Sequence, residues 1–64
     1  MSDGDYTTFY PDKKGGWRWK IQAANNEIVD ASSEAFQSEA GARENFERAG
    51  HDLADAPEKA DDRD

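Results

Sequence analysis

From Trp17 to Ala23 every second residue is apolar: Trp17, Trp19, Ile21 and Ala23 alternate with Arg18, Lys20 and Gln22. A period of two sends the two sets to opposite faces of a β-strand. One buried face and one wet face mark an antiparallel sheet covered on a single side. The tryptophans are therefore expected under a covering element, with the cations in water.

The neighbouring segments supply the partners. Thr7-Thr8-Phe9-Tyr10 is β-branched and aromatic and is stopped by Pro11, which predicts a first strand. Asp12-Lys13-Lys14-Gly15-Gly16 has turn chemistry, with glycines available for positive φ. Asn25-Asn26 fits a tight hairpin, and Glu27-Ile28-Val29-Asp30-Ala31 predicts a third strand whose buried face is ambiguous. From Ser38 the period changes: Ala42, Phe46, Ala49 and Leu53 form a narrow helical stripe. Ser38 suits the N-cap, Glu39 the positive helix start, and Glu39/Arg43 and Glu44/Arg48 are i,i+4 pairs. Gly50 either ends this helix or is crossed by it, and Pro57 ends it in any case.

The large apolar residues are Phe9, Trp17, Trp19, Ile21, Ile28, Val29, Phe36, Phe46 and Leu53, a thin core for 64 residues. Phe9, Trp17, Trp19, Ile21, Ile28 and Phe46 are expected at its centre. With no cysteine, disulfide staples and cysteine-based zinc sites are excluded, which leaves self-association as the common way to enlarge such a core.

Fifteen acids against eight bases give a net charge of −7. That balance repels phosphate backbones and anionic lipid headgroups, so nucleic acid and membrane are poor default partners. Dense like charge is tolerated in concentrated salt, where the Debye length shrinks to about 3 Å at 1 M. A halophilic protein is the expectation, an ordinary acidic protein with polar tails its alternative. No apolar run approaches a membrane span, and the acidic start Met1-Ser2-Asp3-Gly4-Asp5 is unlike a signal peptide, which makes the cytoplasm the expected location.

Phe9-Tyr10, Gly16-Trp17-Arg18-Trp19-Lys20, Asn25-Asn26-Glu27-Ile28-Val29, Ser32-Ser33-Glu34-Ala35-Phe36 and Ser38-Glu39-Ala40-Gly41-Ala42 follow one another in an order that resembles the YegP-like family of small uncharacterised domains. The Trp-Arg-Trp strand followed by the Asn-x-Glu-Ile hairpin is its most specific part. The resemblance spans residues 7–52 and implies a β-β-β-α-β unit that dimerises into one continuous sheet by exchanging last strands. It implies no activity. Asn26 and Ala35 stand where the family has glycine. Residues 54–64 contain Pro57 and no β-branched residue, so the last strand has no good counterpart here. Sheet-edge pairing or packing between helices is then the remaining route to a dimer.

Chemistry-bearing candidates are few. Trp17 and Trp19 read as core, ahead of a ligand platform or an exposed contact. Lys13, Lys14, Arg18 and Lys20 form the one basic cluster, and with Gln22 they make the candidate partner surface. His51 is the single histidine and reads as a surface residue near a helix C-terminus. Ser32-Ser33-Glu34 has hydroxyls without a base nearby in sequence, and Gly15-Gly16 joins two strands rather than opening a helix, unlike a phosphate loop. Asp52, Asp55, Asp61, Asp62 and Asp64 lack EF-hand spacing. The sequence thus predicts an α+β domain over residues 5–56, three antiparallel strands and one helix on the tryptophan face, with a fourth, exchanged C-terminal strand as the open alternative, followed by an acidic disordered tail at 57–64. It points to a non-enzymatic homodimer that engages another protein and uses no cofactor or metal. The alternative is a nucleic-acid-associated protein using Lys13, Lys14, Arg18 and Lys20.

Overall fold

The structure is a computed structural model that describes residues 4–60. Strands β1 (Tyr6–Pro11), β2 (Trp17–Gln22) and β3 (Ile28–Ala31) precede one helix, α1 (Glu39–Arg48). The strands form an antiparallel sheet in the order β1-β2-β3. The α+β class and the β-β-β-α order are those the sequence predicts.

Local chemistry explains each boundary. In the β1–β2 turn the Asp12 carboxylate accepts the amides of Lys14 (2.9 Å) and Gly16 (2.8 Å), an Asx-type closure. A Cβ on Gly16 would lie 2.7 Å from that of Ala35, so only glycine lets the hairpin approach this loop. Asn26 takes the hairpin's left-handed position at φ 73°, which asparagine tolerates. Ser38 caps α1, its Oγ accepting the Gly41 amide at 3.1 Å. At the other end Gly50 adopts φ 91°, while the Gly50 amide donates to Glu47 O and that of His51 to Phe46 O. This pair of bonds is a Schellman closure, and it settles that the helix stops before Gly50.

Alternation carries Thr7 and Phe9 of β1 and Trp17, Trp19 and Ile21 of β2 onto the helix side of the sheet. Phe9, Trp19, Ile21, Ala42, Phe46 and Ala56 are the buried apolar cluster, with Trp17, Phe36 and Leu53 half-buried around it. Phe46 is the hub: the rings of Phe9 and Trp19 both meet it edge-on at 5.4 Å. The Trp19 indole N–H is satisfied by Asn45 Oδ1 at 2.9 Å, so the largest side chain enters the core without an orphaned donor.

Three expectations are corrected. Ile28, expected in the core, is 57% exposed. Ile21 pairs with Asp30 and Gln22 with Ile28, so a bulge inserts Val29 between them. The extra residue carries Ile28 to the side of Gln22, away from the helix, and gives the core side to Asp30. His51, expected on the surface, is tucked against the rings of Trp19 (5.3 Å) and Phe46 (5.4 Å), with Nε2 2.7 Å from Asp30 Oδ2. Finally, residues 57–59 are not a loose tail. The Thr7 amide donates to Pro57 O (2.9 Å), the Lys59 amide donates to Thr7 O (2.7 Å), and Thr7 and Glu58 form a parallel bridge. Residues 61–64 of the expected tail, with Asp61, Asp62 and Asp64, lie outside the described residues. A short extended segment therefore covers the outer edge of β1 within the same chain, held by backbone groups that need no β-branched side chain.

Candidate functional site

The face of the sheet turned away from α1 is built by the other half of each alternation: Tyr6, Thr8 and Tyr10 from β1, Arg18, Lys20 and Gln22 from β2, and Ile28 and Ala31 from β3. Arg18, Lys20 and Gln22 thus stand together, as the candidate surface requires. Lys13 and Lys14 lie in the adjoining turn, exposed. Lys14 lines a shallow open concavity of about 390 Å³ with Asp12, Gly15, Gly16, Arg18, Ala35, Phe36 and Gln37, while Lys13 does not.

Two cations on this face lie over aromatic rings. Lys20 Nζ lies 5.1 Å from the Tyr10 ring centroid, and Lys59 Nζ lies 4.7 Å from that of Tyr6. Lys59 reaches the face because the 57–59 segment runs beside β1. The Tyr6 hydroxyl donates to Asn26 Oδ1 at 2.5 Å, and Gln22 Nε2 donates to Asn26 O at 2.8 Å, which ties the β2–β3 hairpin to the same edge. Thr8 sits between the two tyrosines at 4% exposure, so the middle of the face is closed rather than grooved.

Arg18 is positioned by Asp12, its Nε 3.3 Å from Oδ2. Its terminal nitrogens make no hydrogen bond among the described residues. The Gly16 amide bond, with help from the Lys14 amide and Arg18, holds the Asp12 carboxyl below the usual carboxylate range against the opposing effect of desolvation. No strand residue on this face is acidic; Asp30, the one acid within β3, points to the helix side, where it meets His51. The His51 hydrogen bond, then the Ala31 amide, likewise keep the Asp30 carboxyl low. Acids gather instead on and around α1, where Arg43 bridges Glu58 (2.6 Å) and Glu39 (2.8 Å) and lies over the Phe9 ring at 4.4 Å.

Sequence reasoning passed over Tyr6, Tyr10 and Lys59 as parts of this surface. The tyrosines were findable: once Phe9 is in the core, period two places Tyr10 beside Arg18 and Lys20. Lys59 was not, because its place depends on a contact between chain ends. Trp17 and Trp19 are on the helix side and cannot form a platform on this face. The described residues bring together no set of three histidine, cysteine or acidic side chains able to hold a metal ion. No described helix is long and apolar enough to cross a membrane.

Comparison with known proteins agrees with this geometry. A family model described as a domain of unknown function (DUF1508) matches residues 12–57. The fold is similar to that in the NMR solution structure of a protein from Haloferax volcanii, with a TM-score of 0.72 and 22% identity, over 86% of this chain and 92% of that one. Comparison with curated proteins finds no match.

Proposed function

Since the chain belongs to the DUF1508 family of YegP-like small domains, to which no activity is attached, we propose that it is a non-enzymatic interaction module, a homodimer that presents the Arg18, Lys20 and Gln22 face twice. The observation that carries the dimer is the asymmetry of the sheet edges. The outer edge of β1 is covered by residues 57–59, whereas among the described residues no strand pairs with the outer edge of β3. That open strand carries Ile28 and Val29, exposed at 57% and 50%. An uncovered strand with two large aliphatic side chains and no lysine or proline is a template for pairing. Antiparallel pairing of β3 with its copy would satisfy both edges, continue the sheet across a two-fold axis and set Ile28 and Val29 beside the residues of the copy's strand.

Such a dimer also answers the thin core by joining two small sheets into one. The net charge of −7 fits use in concentrated salt, and a cytoplasmic location accords with both. Sedimentation equilibrium at micromolar protein in high salt should give twice the 7.2 kDa chain mass. Val29→Lys should return it to the chain mass with the far-UV spectrum unchanged. A wild-type chain that sediments as 7.2 kDa under these conditions overturns the dimer.

A further inference from the structure

We propose that the concavity between the β1–β2 turn and residues 35–37 binds a small aromatic monocarboxylate, its carboxylate held by Arg18 and Lys14 and its ring laid against Phe36, Ala35 and the glycine backbone. Such a site is independent of the dimer, and it leaves Tyr6 and Tyr10 under their lysines. Three observations carry it.

The first is that both walls are already built. On one side Asp12 closes the turn: its Oδ1 accepts the Lys14 and Gly16 amides at 2.9 and 2.8 Å, and its carbonyl accepts the Gly15 amide at 3.2 Å. On the other, Phe36 forms an antiparallel bridge with Trp17, exchanging two backbone hydrogen bonds of 2.7 Å. The walls meet at Gly16, where a Cβ would lie 2.7 Å from that of Ala35 and 3.3 Å from Phe36 O. The concavity between them, about 390 Å³, falls in the size range of small-ligand sites. Two locked backbone segments hold its shape, so no loop has to be ordered on binding.

The second is which donors remain open. The amides of Lys14, Gly15, Gly16 and Phe36 are all engaged within the fold, so they form no anion-binding nest. Side chains are left: the Lys14 ammonium and the terminal nitrogens of Arg18, which make no hydrogen bond among the described residues. Asp12 Oδ2 holds Arg18 by Nε at 3.3 Å, which positions the guanidinium while its terminal fork stays open. That fork matches the two oxygens of one carboxylate. A phosphate, with more oxygens to satisfy, gains nothing from amides already engaged.

The third is charge and polarity. Among the lining residues Lys14 and Arg18 are cationic and Asp12 alone is acidic, which leaves one positive charge in excess. Glu34, exposed in the same loop, does not line the concavity. In a chain of net charge −7 this is a local inversion, and it suits a ligand with a single negative charge. The rest of the lining is Phe36, Ala35, Gln37 and the bare backbone of Gly15 and Gly16. Glycines beside Phe36 leave room for a planar ring.

Titration of the isotope-labelled full chain with benzoate, followed by amide chemical shifts, tests the site beside benzamide, acetate, inorganic phosphate and N-acetylphenylalanine. Benzoate should move the signals of Gly15, Gly16, Gln37 and the Arg18 Nε. It should bind about tenfold more tightly than benzamide, acetate or phosphate, the worth of one charge-assisted contact. Arg18→Gln should weaken benzoate about tenfold, and Arg18→Lys, which keeps the charge and loses the fork, nearly as much. Lys14→Gln should weaken it by about threefold, since that ammonium is exposed. Arg48→Gln, which changes net charge equally on the exposed side of α1, should leave it unchanged. Lys14 is an exposed turn residue, so its variant reports even if Arg18→Gln disturbs Asp12. Absence of benzoate-dependent shifts at these signals overturns the proposal. So does binding matched by benzamide or phosphate, or indifferent to both Arg18→Gln and Lys14→Gln. Tighter binding of N-acetylphenylalanine than of benzoate overturns the free ligand and makes the occupant a chain terminus.

Discussion

Asp12 joins three donors through one carboxylate: the Lys14 and Gly16 amides and the Arg18 guanidinium. It therefore closes the β1–β2 turn and aims a cation with the same group. Asp12→Ala should release both, raising amide exchange at Lys14 and Gly16 and freeing the Arg18 side chain, as relaxation of its Nε signal would show. Asp12 and Asp30 are both held below the ordinary carboxylate range. Groups of this sign stabilise the fold above their unfolded-state values, and the contribution is lost as pH falls through the lower folded-state values. Denaturant midpoints should therefore drop on acidification, and the double variant Asp12→Asn, Asp30→Asn should flatten that dependence. An unchanged acid limb would contradict the role given to these pairs. At the centre of the core, Phe46 holds three rings in place, those of Phe9, Trp19 and His51. Phe46→Ala should cost about 3–5 kcal/mol, enough to unfold so small a domain at room temperature in a circular dichroism melt.

Among the elements, those with purely local causes were the most legible. Alternation placed β2, the Ser38 cap started α1, and Asn25-Asn26 turned the second hairpin, because each depends on residues within a few positions. Ser38→Ala should lower stability by about 1 kcal/mol, measured by urea denaturation. Legibility failed where a non-local partner decides. Ile28 reads as a core residue until the bulge at Val29 moves it across the sheet, and adjacent aliphatics gave no sign of which face would win. His51 reads as a lone surface imidazole until the Schellman turn brings it between Trp19 and Asp30. Residues 57–59 read as tail because composition scores side chains, whereas this segment is held by the Thr7 backbone and by Arg43 to Glu58. Truncation after Ala56 should therefore lower the melting temperature and expose the Thr7 amide to exchange. A truncated chain as stable as the full one would show that the segment adds nothing.

At the scale of the whole molecule the two sides of the sheet differ in kind. The helix side holds the aromatic core and most of the acid–base pairing; the open side holds tyrosines, cations and Ile28. Half of this division was legible in the Trp-Arg-Trp-Lys alternation. The other half required the register of β1, which sets Tyr10 opposite Arg18 and Tyr6 opposite Gln22. If the acidic charge is an adaptation to salt, the melting temperature should rise steadily with potassium chloride into the multimolar range. Equal stability at low and high salt would contradict it. If β3 pairs with its copy, the melting temperature should also rise with protein concentration at fixed salt.

The closure of β1 by residues 57–59 bears on the order in which the protein can be made. The Thr7 hydroxyl and the Ala56 carbonyl it binds are 49 positions apart, nearly the length of the described chain. A nascent polypeptide emerges N-terminus first, so β1 leaves the ribosome with its outer border bare. It stays bare until residues 57–59 have followed. The three-stranded meander and its helix use residues only up to Arg48, so they precede the seam in chain order. Stalled chains ending before Pro57 should therefore associate more readily than finished ones, through the edge that the completed molecule keeps covered.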